Sequence, residues 1–234
     1  MKWLKVSSEE QQAYFAANVI ESRVQENPRA HLCLATGHSP LATYQELSRR
    51  SAANDLDLKH INLSKLDEWL GVPMTNPVTC EFYLQKYALQ PWAVAAENYL
   101  SFDGEAADPA AECERVAIAK AAKGSFDLSV LGVGVNGHLG LNEPADQLVP
   151  HAHVALLAQI TRSHPMIAAL NPAPTKGLTF GIQDILESKS VLLLIAGRGK
   201  EAATAALKSG PTTTQIPVTL LRDHANVTII ECTN

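Results

Sequence analysis

Two hydrophobic rhythms alternate along this chain. Short unbroken apolar runs at 31–35, 128–133 and 191–196 have the length of buried strands. Between them lie stretches with apolar positions three and four apart. Ala13, Phe15, Ala16, Val19, Ile20 and Val24 draw one such helical stripe. Ser7-Ser8-Glu9-Glu10 places hydroxyl caps and first-turn acids ahead of it, and Pro28 stops it. The same rhythm predicts helices over 40–52, with Pro40 at the first position, and over 80–87, 109–122, 201–208 and 217–224. Strands are predicted at 1–6, 60–66, 98–101, 151–157 and 227–230, and a strand-to-helix turn at 178–186. Such alternation predicts an α/β fold: a mostly parallel sheet with helices on both faces. One domain over 1–234 is the simpler count. The alternation lapses at about 145–174, where a short helix over 161–170 closes at Asn171-Pro172. That segment is expected to be a lid.

Composition narrows the function classes. The chain has 234 residues, 46% hydrophobic and only 6% aromatic, so its core is aliphatic and rich in alanine. Lys plus Arg is 19 and Asp plus Glu is 24, a net charge of -5. With no polybasic footprint, neither nucleic acid nor an anionic membrane is an expected partner. No apolar run approaches the ~20 residues that span a bilayer. The opening MKWLKVSSEEQQ turns acidic too soon for a signal peptide. A cytoplasmic protein is expected. Cys33, Cys80, Cys113 and Cys232 form no C-x-x-C pair and read as buried, idle thiols.

Candidate chemistry gathers where strands end. The stretch at 126–144, FDLSVLGVGVNGHLGLNEP, passes from an apolar run into glycines and then Asn136, His138 and Glu143. Its G-x-G-x-x-G spacing invites a dinucleotide reading. The motif lies in mid-chain, Pro144 arrives where a helix should run, and no acid follows about twenty residues on. No nucleotide cofactor is expected. His138 and Glu143 suit a His–carboxylate couple in which the acid fixes the imidazole tautomer; a structural histidine is the bland alternative. Asp67-Glu68-Trp69 closes another strand. Two adjacent acids on an extended chain point apart, so one can face the strand-end crevice as a general base while the other turns away. Thr36-Gly37-His38-Ser39 joins a strand end to a helix start. Free N–H groups there suit a phosphate, or Ser39 is simply a cap. Gly197 to Lys200 repeats that geometry with a cation. His151 and His153 lack a third ligand at suitable spacing, so no metal is expected.

Taken in order, LATGHSPLATYQEL (34–47), LDEWLG (66–71), DLSVLGVGVNGHLGLNEP (127–144), LTFGIQDILESKSVLLLIAGRGK (178–200) and IPVTLLRDH (216–224) resemble the glucosamine-6-phosphate deaminase/6-phosphogluconolactonase superfamily. The NGHLGLNEP spelling is similar to the amino-sugar deaminases. LDEW and Asn-Gly-His look most like the galactosamine-6-phosphate deaminase/isomerase branch. The resemblance implies a Rossmann-like fold and a cofactor-free reaction on an amino-sugar 6-phosphate, yielding a ketose 6-phosphate and ammonia. It implies Asp67 as base, His138 with Glu143 as the ring-opening pair, and Thr36, Gly37, His38, Ser39 and Lys200 as the phosphate site. Asn136 stands where glucosamine-type enzymes have an aspartate; an amide is expected to hold the imidazole ring by hydrogen bonding instead. The family's lid arginine matches His164, with Arg162 in reserve. The resemblance also implies no C-terminal extension of the kind allosteric members use. A 6-phosphogluconolactonase and a non-catalytic sugar-phosphate sensor are the alternatives. The sugar's C4 preference stays open, as does the choice between monomer and homo-oligomer.

Overall fold

The computed structural model describes residues 1–163 and 165–233. Strand and helix alternate through β1 (Lys2–Val6), α1 (Glu9–Glu26), β2 (His31–Leu34), α2 (His38–Ala52), β3 (Asn62–Lys65), β4 (Asp67–Trp69), α3 (Cys80–Leu84), β5 (Tyr99–Leu100), α4 (Pro109–Lys123) and β6 (Leu128–Gly132). They continue through β7 (His153–Leu156), α5 (Gln159–Arg162), α6 (Pro165–Ala168), β8 (Lys176–Thr179), α7 (Ile182–Leu186), β9 (Val191–Ile195), α8 (Glu201–Ser209) and β10 (Val227–Cys232). Seven strands form one sheet in the order β1-β10-β9-β6-β2-β3-β5, every pairing parallel. From β2 the chain moves outward through β3 and β5; from β6 it moves the other way through β9 and β10. The crevice beyond the carboxyl ends of β2 and β6 is therefore the topological switch point, where open α/β sheets bind ligands.

The apolar strands explain why both faces are covered. Leu32, Leu34, Leu192 and Leu194 pack into one core with Ile20, Tyr44 and Leu84 from α1, α2 and α3. Cys33, Leu131, Leu193 and Ile229 point the opposite way, onto Val116, Ile185 and Leu207 from α4, α7 and α8. A two-residue period on strands buried on both sides needs this two-layer cover. Among the described residues no helix is long and apolar enough to cross a membrane.

Three local expectations are corrected. Helix α2 begins at His38, so Pro40 lies third rather than first, still within the turn that needs no N–H partner. The helix of 80–87 is α3 followed by a π turn at Gln85–Leu89. Asp67-Glu68-Trp69 does not close β3. It forms β4 in a second sheet, β4-β8-β7, whose pairings are antiparallel. Leu66 is the switch residue: its N–H donates to Leu34 O of the main sheet (3.1 Å), and its carbonyl accepts from Phe180 N (3.0 Å).

A buried ion cluster locks this crossing. Lys65 and Glu68 are both fully buried, with Lys65 Nζ 2.7 Å from Glu68 Oε2 and 2.9 Å from Glu81 Oε2. Glu68 also accepts from the backbone N–H groups of Trp69 (2.9 Å), Cys80 (3.0 Å) and Glu81 (2.7 Å). It thus satisfies its own strand and the first turn of α3 together, a carboxylate at the positive end of a helix.

Two outcomes follow from these buried charges. Glu68→Ala leaves Lys65 short of a counter-ion and strips the α3 terminus, so urea denaturation should show a loss of about 3 kcal/mol; a loss below about 0.5 kcal/mol, typical of a surface site, contradicts the cluster's role. His31, at the start of β2, is buried beside Ser64 Oγ (Nε2, 2.7 Å). Burial above all, then the charge of Lys123, lowers its pKa to about 4 against an opposing pull from Asp127. The unfolded chain takes up that proton near pH 6.5, the folded chain only near pH 4. Stability from this residue is complete above pH 6.5 and is lost as pH falls towards 4. The decline should be shallower in His31→Leu, and equal slopes would contradict the assignment.

Candidate active site

At the switch point lies an open cavity of about 430 Å³. The turn after β2 (Thr36 to Ser39), β4 (Asp67 and Trp69), the first residue of α3 (Cys80), the loop after β6 (Gly134 and His138) and the turn after β9 (Gly197 to Lys200) all line it. Sequence positions far apart converge because parallel strands present their carboxyl ends on one edge.

Asp67 and Glu68 divide as adjacent strand residues must. Glu68 is turned into the ion cluster, and Asp67 lines the cavity. Burial is the main force on the Asp67 carboxyl, with the charge of Glu68 adding to it. Together they push its pKa up to about 6, against the donor Cys80 and the charges of His138 and Lys65. A carboxylate held near that value can accept and return a proton at neutral pH.

His138 also lines the cavity. Its Nδ1 is 3.3 Å from Glu143 Oε2. The imidazole lies flat over Gly134, where any Cβ would come within 2.3 Å of the ring. Asn136 and Glu143 stand behind it. The Asn136 amide does not hold the ring: its Nδ2 donates to Glu143 Oε2 at 2.8 Å, and its Oδ1 accepts from the backbone of His138 at 3.3 Å. Glu143 Oε1 accepts from the Thr161 hydroxyl and from Ala158 N (3.3 Å). Burial alone would raise the Glu143 pKa. The hydrogen bond and charge of His138, with Thr161 and Asn136, outweigh it and hold the acid at about 2. A carboxylate ionised that firmly only accepts, so Nδ1 carries hydrogen and the imidazole is left with Nε2 for proton exchange.

In the turn after β2, Gly37 leads the chain into α2 with φ 97°, a left-handed conformation that glycine adopts without strain. Ser39 Oγ accepts from Lys200 Nζ at 3.1 Å, joining the turns after β2 and β9. Burial lowers the pKa of Lys200, and among the described residues no carboxylate pairs with it. His38 is differently engaged: its Nε2 meets Glu9 Oε1 at 2.8 Å on the exposed rim. Arg162 is not among the cavity-lining residues; its Nε is buried with no partner among the described residues. His164 lies outside the described residues. From the segment at 145–174, Ile160 and Thr161 line the cavity. The expected helix over 161–170 is instead the pair α5 and α6. His151 turns to Asp184 (3.1 Å), which also takes Lys120 (3.2 Å).

Two cavity residues carry no motif that marks them. Thr161 reaches Glu143 only through packing of α5 onto the loop after β6. Cys80 donates to Asp67 from α3.

Residues 6–230 match the model of the family described as glucosamine-6-phosphate isomerases/6-phosphogluconolactonase. The protein named "Putative deaminase AgaI" from Escherichia coli is 40% identical over 211 residues, 90% of this chain and 84% of its own. A glucosamine-6-phosphate deaminase from Lysinibacillus sphaericus is 35% identical over 98% of both chains. A solved structure described as a monomeric glucosamine-6-phosphate deaminase of the NagB superfamily superposes with a TM-score of 0.95 at 33% identity, covering 100% of this chain and 98% of that one. By fold, by near full-length match and by the identity of these relatives, the chain belongs to the glucosamine-6-phosphate isomerase/6-phosphogluconolactonase family.

Proposed function

We propose that this protein is an amino-sugar-6-phosphate deaminase, with galactosamine 6-phosphate preferred over glucosamine 6-phosphate. The carrying observation is one crevice lined both by a carboxylate poised near neutrality, Asp67, and by an imidazole backed by a firmly ionised acid, His138 with Glu143. Deaminase relatives at 35% and 33% identity over nearly the whole chain support the reaction class. The galactosamine preference rests on the LDEW and Asn136-Gly-His spellings.

In this reading the 6-phosphate sits on the free N–H groups of the Thr36–Ser39 turn, beside Lys200. A phosphate supplies the counter-charge that the half-buried ammonium lacks. Anchoring that end sets C1 and C2 of the open-chain sugar near Asp67. His138 Nε2 moves the O1 hydroxyl proton to the ring oxygen, and the ring opens. Asp67 takes the C2 proton while the C2 ammonium passes one of its protons to O1, giving an enol-amine; Asp67 then returns its proton to C1, which leaves an iminium at C2. Water adds there and ammonia departs. The sum is amino-sugar 6-phosphate plus water to ketose 6-phosphate plus ammonia, a hydrolysis of a carbon–nitrogen bond. Every step is a proton transfer, the addition of water or a heterolytic C–O or C–N cleavage, with no net change of oxidation state, so no cofactor is called for. Asn136 keeps Glu143 anionic without adding a second charge. The 145–174 segment acts as the lid, resting on Glu143 through Ala158 and Thr161.

Asp67→Asn should lower ammonia release at least 100-fold with the circular dichroism spectrum unchanged, since it removes the base and little packing. Retained turnover contradicts the mechanism. The acid limb of kcat/KM should fall near pH 6, because Asp67 must be ionised and its carboxyl is raised to about that value. A limb near pH 4 argues for a different base. Ammonia release measured side by side should favour galactosamine 6-phosphate. The reverse order overturns the sugar preference, and lactone hydrolysis without ammonia overturns the class.

A further inference from the structure

Cys80 opens α3, only 2% exposed, yet it forms part of the cavity wall. Its sulfur sits in a directed chain of hydrogen bonds. The Thr36 hydroxyl donates to Sγ at 3.1 Å, and the thiol donates to Asp67 Oδ1 at 3.5 Å. A thiol has one hydrogen and a weak acceptor sulfur. With the Thr36 hydroxyl on the acceptor side, the S–H is free for the carboxylate. Among the described residues this is the hydrogen bond that the Asp67 carboxylate receives.

The helix that carries the thiol cannot drift. Its first two N–H groups are held by Glu68, and Tyr83 one turn on donates to Gly37 O at 2.8 Å. Helix α3 therefore touches the Thr36–Ser39 turn twice and Asp67 once, and it is fixed at its root by the neighbour of Asp67. A nucleophilic role does not fit this thiol. Burial foremost, then the carboxylates of Glu68 and Asp67, push its pKa well up, so it stays protonated at neutral pH.

We propose that Cys80 is a positioning residue for the base: its thiol, aimed by Thr36 of the phosphate turn, holds the Asp67 carboxylate towards C1 and C2 of the sugar. The inference rests on the function proposed above for the word base. The contact itself is testable without turnover. A donor to the ionised form favours that form, so removing it raises the Asp67 pKa and frees the carboxylate to rotate. The charged groups that act on Asp67 are Glu68 on its own strand, Lys65 at the end of β3 and His138 of the loop after β6. Substitutions at Cys80 leave all of them in place.

The test is a carbon-13 titration of the Asp67 carboxyl in wild type, Cys80→Ala and Cys80→Ser, with Asp67→Asn to assign the resonance. Cys80→Ala should move the Asp67 titration up by roughly half a pH unit, the size of one modest hydrogen bond. Cys80→Ser, which keeps a donor, should restore most of it. Thr36→Val, which removes the hydroxyl that aims the thiol, should shift it the same way by less; it supplies the reading if Cys80→Ala does not fold. An unchanged titration in folded Cys80→Ala, or an equal shift in Cys80→Ser, overturns the proposal. Ammonia release is the second readout. Cys80→Ala should lower kcat about tenfold with KM little changed and carry the acid limb upward, and Cys80→Ser should recover both. Wild-type kcat and an unmoved limb in Cys80→Ala also overturn it. If the wild type releases no ammonia from either amino-sugar phosphate, the function reading fails, while the titration still decides the contact.

Discussion

The buried carboxylate of Glu68 is the constraint on which the site depends. It binds Lys65 at the end of β3, the backbone of its own strand, and the first turn of α3. A fully buried charge is tolerated only when it is this completely paired. Because strand residues alternate, fixing Glu68 inward leaves its neighbour Asp67 no direction but the crevice. The same contact brings α3 up to the Thr36–Ser39 turn. One buried acid thus sets the direction of the acid that lines the cavity.

Around that fixed point the crevice groups differ in charge. A glycine turn and Lys200 offer donors with little counter-charge nearby. Glu143 is saturated with donors from Asn136, Thr161, Ala158 and His138, and stays anionic. Asp67 is held near neutrality by burial and by Glu68. These environments push two carboxylates apart by about four pKa units, one near 6 and one near 2. That separation suits them to different tasks in the proposed reaction, one exchanging a proton and the other holding a tautomer.

Much of this fold is written in the chain's periodicity. The unbroken apolar runs of β2, β6 and β9 and the stripe of α1 need only local pattern to be recognised. The sheet crossing at Leu66 is not local. A single residue separates β3 from β4, and nothing in LDEW says that the chain leaves one sheet for another. Of the candidate site, the strand-end groups were legible because glycines, hydroxyls and acids cluster where apolar runs stop. Asn136 shows the limit: the motif marked the residue, but only the folded loop shows that its amide reaches the carboxylate and not the ring. Thr161 and Cys80 lie beyond sequence reading for the same reason. An ordinary threonine and an ordinary buried thiol acquire partners only through packing of α5 and α3.

The most direct test is a crystal structure with an open-chain 2-amino-hexitol 6-phosphate, which has no aldehyde and cannot react. The account predicts the phosphate on the N–H groups at Thr36–Ser39 with Lys200 beside it, and the Asp67 carboxylate about 3–3.5 Å from the C1–C2 edge. A phosphate bound elsewhere, or a C1–C2 edge out of reach of Asp67, would contradict it.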